Sequence, residues 1–280
     1  VKKYYHQKQA EYFNVLSGLF LDDIHSLGKN IPTDGELDAL VSLSSDLLYA
    51  AVYRIAQARF HYDSVSEFLY YAGKTQQLLK KYPENNLEKV KVTRRLFYLL
   101  MEVGFHLGFS IKDLLKYGRE VNCRNELLGY PDSVGFFFYL FFLVLDKKEK
   151  AAEQLIKNNE AFYFNKENDF FKTFIIAYIR FRRGNIAESQ RVFHELAYCG
   201  NYYISLWSKL IEITIHFQRG NYSFCKTLID RTERFMNKSS GKPFTRQASQ
   251  FLLNQIKMAL IKKATAIKKC PLKFSPFHYH

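Results

Sequence analysis

Several things are scarce in this sequence, and each scarcity excludes something. Six prolines, at 32, 83, 131, 243, 271 and 276, and 13 glycines in 280 residues leave long stretches without a breaker, so long helices are permitted between the turns. The four cysteines, Cys123, Cys199, Cys225 and Cys270, stand far apart with no CxxC pair. That argues against a disulfide framework and fits a reducing, cytoplasmic setting. No charged start followed by an apolar stretch and small cleavage residues is seen. The apolar run SVGFFFYLFFLVL, Ser133 to Leu145, is 13 residues long, against the ~20 that span a bilayer. With Asp132 and Asp146 at its ends it reads as a buried helix. GxSxG, GxxxxGK[ST] and GxGxxG are all missing, which removes the serine-hydrolase elbow, the P-loop and the dinucleotide turn. The eight histidines show no HExxH or other metal spacing. No catalytic residue, metal or cofactor is therefore expected.

Negative charge is also missing from one end. Residues 1–135 hold 17 Lys/Arg and 16 Asp/Glu, so the remainder carries +13 of the total +14. Asp and Glu stop at Glu233, and ten lysines and arginines follow without a carboxylate. Such a one-signed stretch attracts phosphates, anionic lipid or an acidic protein surface.

What is present is helical periodicity. Aromatic residues make up 17% of the chain and hydrophobic residues 48%, enough for a large core. Three capping boxes mark helix starts: Thr33 with Glu36, Ser64 with Glu67, and Ser110 with Asp113. After the first, apolar residues from Leu37 to Ala56 recur at three and four. Helices are expected near 4–27, 34–60, 64–81, 86–108, 110–117, 134–145, 148–163, 168–183, 185–198, 202–219, 221–237 and 244–269. No convincing period-two strand appears. The expectation is an all-α protein: an N-terminal helical bundle over 1–130, then an array of antiparallel helix hairpins over 131–280.

The array is read from a repeated stretch. FRRGNIAESQRVF (181–193) returns 36 positions later as FQRGNYSFCKTLI (217–229). Gly-Asn after an arginine is a helix stop, because glycine takes the left-handed turn cheaply and the cation complements the carbonyl end. Another helix follows each time. A weaker copy lies at Asp146-Lys147-Lys148. The turns Gly184-Asn185 and Gly220-Asn221, with Ser189 or Cys225 five past the glycine and Phe193 or Ile229 four later, resemble the tetratricopeptide repeat. That resemblance covers about 134–237 and implies stacked helix pairs that display a concave surface to a protein or peptide. Arg180 and His216 stand where that family carries tyrosine, and no proline closes a repeat.

A second resemblance sits in KYGREVNCRNELLGYPD, 116–132. Lys116, Asn122, Gly129 and Tyr130, with Arg124 one position off, are similar to the phosphate-contacting tail of all-α nucleoside triphosphate pyrophosphatases of the dimeric dUTP-hydrolysing kind. The resemblance implies magnesium held by carboxylates spaced i, i+3 or i+4 on neighbouring helices. Between 1 and 135 no acidic residue is followed by another at i+3. The i+4 pairs Asp34/Asp38, Asp63/Glu67 and Glu84/Glu88 fall at helix starts, where capping explains them.

The C-terminal stretch carries the clearest binding signal. From Phe244, Ala248, Phe251, Leu252, Ile256, Ala259, Leu260, Ala264 and Ile267 make one stripe, and the lysines lie mostly off it. Arg246, Lys257, Lys262, Lys263, Lys268 and Lys269 are the candidate anion-binding residues, for nucleic acid, anionic membrane or an acidic partner. The favoured reading of the same helix is a basic C-terminal cap on the array, its polar outer face supplying solubility. Lysines rather than arginines argue against reading of bases.

Overall fold

The computed structural model describes residues 64–83, 86–106, 108–129 and 132–238, with single helical positions at 35, 38, 39, 42, 54, 253, 254, 256–258 and 260. The described residues contain helices and turns but no strand, and the protein is all-α. Nine helices run through them: α1 (Val65–Leu79), α2 (Leu87–His106), α3 (Ile111–Leu128), α4 (Ser133–Leu145), α5 (Glu149–Tyr163), α6 (Asp169–Arg182), α7 (Ile186–Leu196), α8 (Tyr202–Gln218) and α9 (Tyr222–Lys238). The helices expected over 4–27 and most of 34–60 and 244–269 lie outside the described residues. The chain separates into two compact units, one of residues 1–107 and 116–130, the other of 108–115 and 131–280.

Two of the three capping boxes fall within the described residues, and in both the serine hydroxyl caps the helix. Ser64 Oγ accepts the Glu67 amide at 3.4 Å. Ser110 Oγ accepts the Asp113 amide at 3.2 Å and donates to its carboxylate at 2.6 Å. The helix expected over 110–117 differs from its reading. Instead of ending near 117, α3 runs through Gly118 and continues to Leu128, and Gly129 supplies the stop at φ +60°.

In the first unit α1 packs on α2. Phe68, Ala72, Thr75 and Leu79 form the buried stripe of α1 at the spacing of one helical face.

In the second unit each helix packs on its successor from α4 to α9, and α4 touches α6 as α6 touches α8. Three turns join the pairs α4/α5, α6/α7 and α8/α9. They share one hydrogen-bond pattern. The amides of Lys148, Asn185 and Asn221 each reach back five residues, to the carbonyls of Leu143, Arg180 and His216, at 2.8, 3.0 and 3.0 Å. The residue before each takes a positive φ: Lys147 at 61°, Gly184 at 91°, Gly220 at 80°. This is the Schellman stop, which satisfies the last carbonyls of a helix. The weak upstream copy in the sequence is thus a turn of the same geometry, with lysine in the glycine position.

Equivalent residues after each turn share a burial pattern. Ala152, Ser189 and Cys225 are all fully buried, and four residues on Ile156, Phe193 and Ile229 are buried too. A small side chain at the first position lets the second helix approach the first closely. The arginine before each glycine does more than complement its own helix end. Arg183 makes a two-pronged bond to Glu153 of α5, at 2.7 and 2.8 Å, and Arg219 donates to Gln190 of α7. Each arginine ties its own helix end to the second helix of the preceding pair. Arg182 adds a bond to the Val144 carbonyl at the end of α4.

The core of this unit is aromatic. Trp207 of α8 lies 5.7, 5.2 and 6.1 Å from the rings of Phe137, Phe141 and Phe174. Phe174 also meets Phe193 edge-on at 5.5 Å. Aromatic pairs at such separations add about 0.5–1.5 kcal/mol each beyond their area burial. The apolar run of the sequence becomes α4, buried continuously from Gly135 to Val144. Among the described residues no helix is long and apolar enough to cross a membrane.

Candidate functional site

The first unit holds a cavity of about 440 Å³ between α1, α2 and α3. Each helix delivers its lining by periodicity. On α2, Lys89, Thr93 and Phe97 follow one another at i, i+4 and i+8, with Val90 and Leu96 beside them, so one face of the helix forms a wall. On α3, Tyr117 and Arg124 lie two turns apart and Lys116 precedes them. The C-terminal end of α1 contributes Gln76, Leu79 and Lys80.

Four of these side chains are cationic, and no carboxylate lines the cavity. Arg124 is engaged: its guanidinium pairs with Glu120 one turn back and sits 5.0 Å from the centre of the Phe97 ring. Phe97 and Tyr117 stack at 6.0 Å and 29°. Lys89 is 6% exposed and donates to the Tyr82 carbonyl at 2.9 Å. It stands in the first turn of α2, where its own amide donates to Asn86 Oδ1 at 3.0 Å. Lys80 and Lys116 are exposed and have no carboxylate partner among the described residues. Thr93 Oγ1 is buried on the wall without a hydrogen-bond partner. A buried hydroxyl in that condition is about 1–3 kcal/mol less favourable than a paired one.

The residues of the pyrophosphatase resemblance are dispersed along this element. Lys116 and Arg124 line the cavity and Asn122 does not. Asn122 is buried and donates to Glu126 at 3.2 Å, and Gly129 ends the helix. Tyr130 lies outside the described residues. Of the carboxylate pairs, Asp38 is bound to Arg54, Glu67 sits in the first turn of α1, and Asp34, Asp63 and Glu84 are outside the described residues. No group of three His, Cys, Asp or Glu side chains converges as a metal site among the described residues.

Of the basic C-terminal candidates, only Lys257 falls within the described residues; Arg246, Lys262, Lys263, Lys268 and Lys269 do not. Lys257 pairs with Glu233, the last carboxylate of the chain, at 2.6 Å. Ile256 and Leu260 are buried, so the apolar stripe faces inward at those two positions, and Leu253, which the stripe did not include, is buried as well.

The second unit carries a polar cluster between α7 and α8. His194 Nδ1 lies 2.9 Å from Glu212 Oε1, with Glu212 buried. Gln190 Nε2 meets His216 Nε2 at 2.9 Å. Burial pushes the His216 pKa below the usual histidine range. Lys209, donating to the Ala197 carbonyl and lying over the Tyr198 and Phe235 rings, is also pulled down by burial. The cluster couples adjacent helices.

The cavity was not foreseen as a site. Lys80, Lys89 and Lys116 are far apart in sequence, and no local motif joins them. The only signal was the stripe of Lys89, Thr93 and Phe97 on one helical face. Comparison with protein-family models, curated proteins and solved structures yields no match for this chain.

Proposed function

We propose that α4–α9 form a helix-hairpin repeat array of tetratricopeptide-like design, serving as a non-catalytic scaffold for an acidic protein or peptide partner. The observation that supports it is the recurrence of one turn at intervals of 37 and 36 residues, with the same reach-back bonds and positive φ. The buried small residue recurs with it. Hairpins stacked in series bury faces that no single pair could cover, and leave an extended flank for docking.

Burial decides which flank is offered. α4 is enclosed along ten consecutive residues, and α8 is buried through most of its length. These first helices leave little face for a peptide, which argues against docking on a concave surface lined by them. The second helices of the pairs are open. On α9, Lys226, Arg231, Arg234 and Lys238 are all exposed, in the half of the chain that carries +13. An acidic surface complements them and gains on-rate from the field. With Lys257 held by Glu233, the alternative of nucleic acid or anionic membrane on the C-terminal helix rests on Arg246, Lys262, Lys263, Lys268 and Lys269.

The test is affinity capture with the full chain at low and high salt, beside an Arg231→Glu/Arg234→Glu/Lys238→Glu variant. A protein captured by the parent, weakened as salt rises and lost on the variant, supports the reading. Capture indifferent to the triple reversal refutes it.

A further inference from the structure

We propose that the cavity between α1, α2 and α3 binds a small phosphate ester of a flat, unsaturated body. The inference is independent of the repeat reading, because it rests on the other compact unit.

Size comes first. About 440 Å³ lies within the roughly 300–1,000 Å³ of small-molecule sites. Charge comes next. Lys80, Lys89 and Lys116 approach from three different helices, and no carboxylate shares the lining. Like charges brought together repel, so a fold that gathers them around a concavity is stabilised by an anion placed there. The first turn of α2 adds amide dipole of the same sign.

The kind of anion follows from which cations are engaged. Arg124 spends one guanidinium nitrogen on Glu120, and that carboxylate offsets its charge. Lys80 and Lys116, exposed and without a carboxylate partner among the described residues, act as point charges suited to a phosphate's several oxygens. Thr93 Oγ1, buried and unpartnered on the same wall, supplies a neutral donor.

The body of the ligand is set by the other wall. Phe97 and Tyr117 stack on one another, with the Arg124 guanidinium over Phe97, and Leu79, Val90 and Leu96 complete an apolar side. A flat ring fits that surface by stacking, and a bare inorganic ion would leave it in water. The proposed ligand therefore carries both parts: a phosphate toward Lys80, Lys89 and Lys116, and an aromatic body toward Phe97 and Tyr117.

Titration calorimetry on the full chain with 1-naphthyl phosphate, inorganic phosphate and 1-naphthol tests this. Naphthyl phosphate should bind more tightly than either fragment, and weaken as salt rises. A Lys80→Gln/Lys116→Gln variant, changed at two exposed positions, should lose at least about tenfold in affinity for naphthyl phosphate while keeping the parent's circular dichroism and melting. Phe97→Leu should weaken naphthyl phosphate and leave inorganic phosphate unchanged. The proposal is overturned if naphthyl phosphate gives no saturable binding, if the double variant binds it like the parent, or if naphthol binds as well as its phosphate.

Discussion

Replacing Gly184 with alanine isolates the energetics of the turn that recurs through the second unit. Gly184 has a φ of +91°, and a Cβ placed there meets no heavy atom within 4 Å. Packing therefore contributes nothing, and the whole effect is backbone strain. Left-handed geometry is about 1–2 kcal/mol unfavourable for an L-residue, and the loss of glycine's freedom in the unfolded chain returns about 0.4–1 kcal/mol. The net destabilisation is about 1 kcal/mol, or roughly 2–4 °C in Tm for a chain of this size. Asparagine, which tolerates the left-handed region, should cost less, and valine more. The reverse change is sharper. Lys147 sits in the same position of the first turn at φ +61°, so Lys147→Gly should raise stability, by about 0.5–1 kcal/mol. Urea melts followed by circular dichroism read all four variants at unchanged m-value. A neutral Gly184→Ala, or a Lys147→Gly that destabilises, would refute the view that one strained position governs these turns.

Three further outcomes are expected. The guanidinium of Arg183, hydrogen-bonded to Glu153, holds that carboxyl below its ordinary 4.5; its contribution is present above that value and fades as pH falls through the lowered pKa. Arg183→Gln should flatten this acid limb in pH-dependent urea melts, and an unchanged limb would dismiss the tie. His216 runs the other way from a salt-bridged histidine: burial keeps its folded pKa below the ordinary 6.5. The unfolded chain then takes up its proton first as pH drops below 6.5, so stability falls, and His216→Gln should remove that part of the slope. Burial pushes the fully buried Cys225 thiol up to about 11, while Cys123 is exposed. A disulfide reagent at about pH 8 should label Cys123 promptly and Cys225 only as the chain unfolds, read by peptide mass; equal rates would contradict the packing.

Much of the fold was legible because helices are written in local signals. Ser64 and Ser110 announced their helices through hydroxyl and carboxylate alone, and Gly184 and Gly220 announced their turns. The turn at Lys147 was fainter, since a lysine in a left-handed conformation leaves no signature; only the carbonyl bonds at Leu143 and the burial of Ala152 place it with the others. The end of α3 differs from its reading because Gly118, a poor helix former, is carried inside the helix, and the stop falls at Gly129.

The basic cavity was not legible at all. Its cations come from three helices, and each lysine taken singly is indistinguishable from a solvated one. Likewise the sequence marked Phe137, Phe141, Phe174 and Trp207 as apolar without indicating that one indole gathers the other three rings.

What the sequence by itself determined is the all-α class, the positions of caps and turns, and the charge asymmetry, since each depends on residues within a turn or two of one another. Tertiary structure alone decided that arginines before the glycines reach the preceding hairpin, that α4 and α8 are enclosed while α9 stays open, and that three distant lysines share one concavity. Those outcomes depend on how separate helices pack, and packing joins residues whose distance in sequence carries no information about their distance in space.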